Sequence, residues 1–113
     1  RTWSDVRDAV RAYYLLVTKD PTPGEYYNIG GTYTCSVRDM LNYLISLSTR
    51  DDITIALDPN RLRPVDADLQ VPDVTKFSNH TGWKPSIPFE QTMLDLLNYW
   101  RGLISQDKKY LTR

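Results

Sequence analysis

The chain has 113 residues, 41% hydrophobic and 25% charged, with a formal net charge of zero. A neutral balance excludes the basic field that gathers nucleic acid or anionic membrane, and no apolar run approaches the roughly 20 residues that a bilayer span needs. The single cysteine, Cys35, excludes an internal disulfide framework and a cysteine-based zinc site, and it suits a reducing, cytoplasmic compartment. The length fits one small domain or a piece of a larger one, and the opening at Arg1 without an initiator methionine favours a piece.

In chain order, apolar residues at Val6, Ala9, Val10, Tyr13, Leu16 and Val17 recur every three or four positions. They predict a helix over residues 5–19, with Ser4 or Asp5 as N-cap and Pro21 as its end. Asp5 and Asp8 read as helix-start acids that complement the dipole. Pro21-Thr22-Pro23-Gly24 is a turn, and 25–29 is aromatic and β-branched enough to predict a short strand closed by Gly30-Gly31. Ser36 and Asp39 form a capping-box pattern that opens a second helix over 36–48. Ile53, Ile55 and Leu57 alternate with polar or small residues, as in a half-buried strand over 53–57. Asp73 can cap a short helix through Thr75-Lys76-Phe77 that stops near Gly82. Pro88 then fits the first turn of a last helix over 88–103, presenting Phe89, Met93, Leu96, Leu97 and Trp100. The pattern is a mixed, mainly helical α/β chain whose short strands need a partner sheet.

The densest chemistry lies in residues 61–68, Arg61-Leu62-Arg63-Pro64-Val65-Asp66-Ala67-Asp68. Pro59 and Pro64 bracket the arginines and exclude a regular helix. The planar donor fork of arginine suits phosphate oxygens, and an aspartate nearby accepts from vicinal sugar hydroxyls. Phosphate plus ribose is a nucleotide. The other reading is a solvated loop whose arginines and aspartates pair with one another.

Other candidates carry less. No tyrosine has a lysine one helical turn on, the usual means of making a tyrosine base. His80 has no second histidine or cysteine to share a metal and reads as a capping or surface residue. Cys35 reads as a small packing residue. Gly30-Gly31 lacks both the dinucleotide and the P-loop pattern.

Taken in order, four segments resemble the C-terminal half of the extended short-chain dehydrogenase/reductases that act on nucleotide sugars. They are Arg1-Thr2-Trp3-Ser4-Asp5-Val6-Arg7-Asp8, Tyr27-Asn28-Ile29-Gly30, Arg63-Pro64-Val65-Asp66 with Asp73-Val74-Thr75-Lys76, and Thr81-Gly82-Trp83-Lys84-Pro85. Within that family the chain looks most like GDP-mannose 4,6-dehydratases, with GDP-4-keto-6-deoxymannose reductases nearly as close. It has Asp66 where dehydratases usually carry glutamate.

The resemblance implies that residues 1–113 are a nucleotide-sugar-binding lobe lacking most of the Rossmann sheet, and that NAD(P) and the catalytic Ser/Thr, Tyr and Lys belong to an N-terminal domain. It implies a GDP-mannose-like substrate and a homo-oligomeric full enzyme. It also implies that Arg63 neutralises the diphosphate, Asp66 accepts from the ribose, and Arg1 approaches the phosphates from the other side. Arg61 adds charge to the pocket or points to solvent, and Asn28 closes its strand. A rival of another class is a helical protein-interaction module using its tyrosines, which leaves the arginine–aspartate loop without a role.

Overall fold

A computed structural model describes residues 1–61 and 69–106. The elements are β1 (Thr2–Trp3), α1 (Val6–Thr18), β2 (Tyr33–Thr34), α2 (Val37–Ser46), a 3-10 turn (Pro59–Arg61), α3 (Thr75–Thr81) and α4 (Phe89–Gln106). The chain is thus a mainly helical α/β fold. β1 and β2 form an antiparallel two-stranded sheet with Thr2 opposite Thr34 and Trp3 opposite Tyr33.

Helix starts follow local chemistry. Asp5 is the N-cap of α1 and accepts the Arg7 N–H at 2.8 Å. Ser36 and Asp39 cap each other's backbone as a full capping box for α2. Asp73 accepts the Thr75 N–H at 2.9 Å, although Val74 occupies the N-cap position of α3, and Gly82 ends α3 with a left-handed φ of 74°. α4 begins just after Pro88 and runs past Gly102 to Gln106, three residues beyond the expected end at 103.

Two expected strands are absent. Residues 25–29 and 53–57 join no ladder among the described residues, and Ile53, Ile55 and Leu57 are 43%, 44% and 70% exposed. A strand is held by hydrogen bonds to a neighbour, and neither segment has one here. The sheet instead uses residues before α1 and before α2.

The apolar stripe of α1 also faces the other way from expectation. Val6, Val10, Tyr13 and Val17 are 72%, 61%, 64% and 69% exposed, whereas Asp8 and Ala12 are buried. Ala12 packs with Phe77 and Trp83 in a core flanked by Leu15, Tyr27, Ile29 and Val74. The rings of Phe77 and Trp83 lie 5.7 Å apart, and those of Tyr27 and Phe77 lie 5.4 Å apart.

A buried carboxylate sets this orientation. Asp8 Oδ2 accepts the backbone N–H groups of Ser86 and Ile87 at 2.9 and 3.0 Å. Its Oδ1 accepts the Ser86 hydroxyl at 3.0 Å and Arg11 Nη2 at 2.6 Å. The Asp8 carbonyl receives Trp83 Nε1 at 3.1 Å. Both aspartates therefore do more than complement a helix dipole. Asp5 also accepts Thr92 Oγ1 and Arg7 Nη2, each at 2.8 Å, and Arg7 reaches on to Asp95 at 2.7 Å, tying the start of α1 to α4.

His80 caps α1 rather than its own helix. Its Nε2 lies 3.1 and 2.9 Å from the carbonyls of Lys19 and Asp20, which makes that nitrogen the donor, while Nδ1 meets the Tyr27 hydroxyl at 2.6 Å.

Removing the Asp8 carboxylate leaves two backbone donors and a hydroxyl without their acceptor in a partly buried site. Asp8→Ala is expected to cost about 3–5 kcal/mol in denaturant unfolding, and Asp8→Asn less, because its amide oxygen still accepts.

Both carboxyls are held below the usual carboxylate range. For Asp5 the Arg7 guanidinium is the main cause. For Asp8, burial pushes upward but is outweighed by the bonds from Arg11, Ile87 and Ser86. A depressed folded pKa contributes stability that is complete above the unfolded value of about 4 and is lost as pH falls through the lower folded value. On the acid side, unfolding free energy is therefore expected to fall below about pH 4, and Asp8→Asn to flatten that fall.

Candidate functional site

Of the sequence-derived site residues, Arg1 lies at one end of the small sheet. Arg1 extends the ladder beyond β1, with its carbonyl accepting the Cys35 N–H at 3.1 Å. Its guanidinium Nη1 donates to Gln70 Oε1 at 3.0 Å, and the Thr2 hydroxyl donates to the Gln70 carbonyl. Thr2 also faces Thr34 across the sheet, with hydroxyls 3.2 Å apart. Gln70 directly follows Leu69, where description of the chain resumes after the arginine–aspartate stretch. The structure thus brings Arg1 to the C-terminal exit of that stretch, 69 residues away in sequence.

At the other end, the 3-10 turn closes with the Arg61 N–H on the Asp58 carbonyl at 3.1 Å and the Asn60 N–H on Asp58 Oδ1 at 3.0 Å. Arg61 Nε lies 3.3 Å from Asp58 Oδ2, and the arginine side chain is 88% exposed. Arg63 and Asp66 lie outside the described residues.

Beside β1 is a cleft of about 200 Å³. Its wall includes Trp3, Tyr33, Phe89 and Met93, with Asp5 and Thr92 also on the lining. Tyr33 stacks on Phe89 at 4.5 Å, and Tyr43 and Trp3 approach the same ring at 5.7 and 6.4 Å. Among the described residues no buried side-chain polar atom lacks a hydrogen bond, and no cluster of His, Cys, Asp and Glu could hold a metal.

The glycine pair is explained by packing. A Cβ on Gly31 would sit 1.6 Å from the Trp3 carbonyl oxygen, and one on Gly30 would sit 2.3 Å from Pro72 Cγ. These glycines let the turn lie directly on β1 and on the segment that follows Gln70, and they offer no cradle for a dinucleotide. The ammonium of Lys76 lies 4.7 and 5.1 Å from the Tyr26 and Tyr27 ring centroids. Its 2.6 Å pair with Glu25 raises its pKa, the wrong direction for a base. No helix among the described residues is long and apolar enough to cross a membrane.

Sequence reasoning missed Gln70 and the tertiary role of Asp8. Gln70 is one polar residue between Leu69 and Val71 and carries no local signal. Asp8 is indistinguishable by position from an ordinary first-turn acid.

The chain matches the family model described as GDP-mannose 4,6 dehydratase over residues 1–96 and belongs to that family. It is 24% identical over 107 residues to the GDP-6-deoxy-D-mannose reductase of Pseudomonas aeruginosa, covering 95% of this chain and 34% of that protein. It is 30% identical over 98 residues to the dTDP-D-glucose 4,6-dehydratase of Mus musculus, covering 83% of this chain and 27% of that protein. The protein of that name from Homo sapiens is 29% identical over the same length. The chain therefore spans about a third or less of the length of these curated relatives.

Because the added methyl at Gly31 would meet backbone rather than a flexible side chain, Gly31→Ala is expected to force the turn off β1. The cost is of the order of 1–3 kcal/mol or more by thermal or denaturant unfolding, whereas Gly102→Ala, with nothing near it, lacks that cost.

Proposed function

We propose that this chain is the nucleotide-sugar-binding part of a GDP-mannose 4,6-dehydratase-like enzyme, which converts GDP-mannose to GDP-4-keto-6-deoxymannose. The observation that carries the reading is the meeting of Arg1 with Gln70. It sets a strand-end arginine beside the exit of the loop that contains Arg63 and Asp66. In this reading Arg63 and Arg1 bind the diphosphate from two sides, Asp66 accepts from the ribose hydroxyls, and Arg61 contributes only long-range charge.

The residues of this chain do not fit a dinucleotide: the sequence lacks a glycine fingerprint, and Gly30-Gly31 is filled by Trp3 and Pro72. NAD(P), which would take up and return a hydride, is assigned to another lobe of the whole protein. What this lobe supplies is binding energy from the remote nucleotide, spent on orienting the hexose for chemistry elsewhere. A reductase acting on the 4-keto sugar is the second reading, favoured by the match to the Pseudomonas aeruginosa reductase across 95% of the chain.

Supplying full-length protein with GDP-mannose and NADP+ separates the two. Formation of a 4-keto-6-deoxy sugar supports the dehydratase, whereas oxidation of NADPH with the 4-keto sugar alone supports the reductase. In the same protein Arg63→Ala is expected to weaken GDP binding about ten- to a hundredfold, the worth of a charge-assisted bond to phosphate of roughly 1.5–3 kcal/mol. Arg63→Lys should recover part of it, and Asp66→Ala should cost less because water replaces a ribose contact. Affinity for GDP within about twofold of wild type in Arg63→Ala would return the loop to the salt-paired surface reading.

A further inference from the structure

We propose that the cleft beside β1 is the subsite for the base of the nucleotide, a role that rests on the nucleotide-binding reading above. The cleft has a volume of about 200 Å³. An apolar cavity of about 150 Å³ already holds a benzene ring, so this one admits a somewhat larger flat ring. Its wall suits one, since Trp3, Tyr33 and Phe89 all line it. Tyr33 lies on Phe89 with ring centroids 4.5 Å apart and an interplanar angle of 23°, yet the residue stays 44% exposed. Ring surface is therefore left over for a second stacking partner. Trp3 follows Thr2, whose hydroxyl donates to the Gln70 carbonyl. The strand that walls the cleft thus also borders the exit of the stretch that contains Arg63 and Asp66.

The polar groups of the cleft select the chemistry of that ring. The carboxylate on its lining, Asp5, is already bonded to Arg7 and to Thr92, each at 2.8 Å. The Ser86 hydroxyl is likewise committed, donating to Asp8 at 3.0 Å. By contrast, among the described residues the lining hydroxyls of Ser4, Thr32 and Tyr33 have no protein partner. A hydroxyl both donates and accepts, so these three match the mixed donors and acceptors along the edge of a base. Aromatic walls with a few unspent polar groups suit an uncharged, flat ligand, whereas a phosphate seeks cations. A nucleotide sugar has three uncharged rings. On the reading above, Asp66 takes the ribose and the hexose must reach chemistry in another lobe, which leaves the base for this cleft.

The test measures binding by calorimetry in the full-length protein, with pyrophosphate and with GDP or dTDP, whichever wild type binds more tightly. The variants are Tyr33→Ala, Tyr33→Phe, Arg63→Ala and Thr32→Trp, the last placing a bulky ring in the cleft from an exposed position. Tyr33→Ala and Thr32→Trp are expected to weaken nucleotide binding about five- to a hundredfold, the worth of one base stacked on an aromatic ring. Both should leave pyrophosphate affinity within about twofold of wild type, because pyrophosphate has no base. Tyr33→Phe keeps the ring and should recover most of the loss. A merely structural Tyr33 would weaken pyrophosphate and nucleotide alike, and that result overturns the proposal. So does a wild type that binds neither nucleotide more tightly than pyrophosphate. If Arg63→Ala weakens both ligands while Tyr33→Ala and Thr32→Trp spare the nucleotide, the nucleotide reading stands and only the base subsite is lost. If Arg63→Ala also spares both ligands, the two readings fall together.

Discussion

The described structure depends on one carboxylate. Asp8 sits on the first turn of α1, yet its oxygens face away from the helix, into the 85–87 turn, and accept four donors there and from Arg11. Burying a carboxylate is costly unless its lone pairs are satisfied and a positive partner lies close. Both conditions hold, since Arg11 lies at 2.6 Å and the remaining donors are fixed backbone or short side-chain groups. The same residue's carbonyl takes the indole N–H of Trp83, so that large ring can be wholly buried without an unmade hydrogen bond. Ala12, one turn on, is small enough to let Phe77 and Trp83 approach α1.

From that anchor the placement of the sheet follows. Only Ser4 and Asp5 separate β1 from α1, so fixing the helix start fixes the strand. Asp5 strengthens the arrangement: it caps α1, bonds Thr92 on α4 and shares Arg7 with Asp95. These are partly exposed ion pairs whose energetic weight is modest, but they are geometrically specific because Arg7 meets Asp5 through both Nε and Nη2. β2 then pairs with β1 directly before the capping box of α2, which brings Tyr33 onto Phe89 and lets Arg101 of α4 donate to the Leu47 carbonyl at the end of α2. A sheet of two-residue strands is not stable on its own, and here it is held by the helices at either end.

Helix starts were legible in the sequence because capping is local chemistry. Asp5, the Ser36/Asp39 box and Gly82 act over a few residues, and a pattern of a few residues reveals them. Strands and helix faces were not, because both are settled by distant partners. The alternation at Ile53, Ile55 and Leu57 describes a segment fit to be half of a sheet, but fitness does not create the neighbour. Along α1, periodicity selects Val6, Val10, Tyr13 and Val17, the most apolar stripe. The stripe that carries Asp8 and Ala12 is the one turned inward, because the donors at Ser86 and Ile87 and the ring of Trp83 lie on that side. The family resemblance singled out Arg1, but its meeting with Gln70 was not legible, since a lone amide beside a loop gives no local signal of the residue that the fold brings to it.

The division between the two ends of the arginine–aspartate stretch has a physical logic. Its N-terminal side closes on itself through Asp58, Asn60 and Arg61, a turn whose polar groups are satisfied locally. Its C-terminal side is tied across the chain to Arg1 and Thr2. Closing a loop of this length costs entropy that grows only slowly with the number of residues, so anchored flanks remove much of the ordering that a ligand would otherwise have to impose. On the proposed reading, the frame built on Asp8 therefore reaches the ligand indirectly: it fixes α1, α1 fixes β1, and Arg1 stands directly before β1, where it meets Gln70. The outward Val6–Val17 stripe takes no part in that sequence of supports, which separates the surface the helix leaves uncovered from the surface that orders the site.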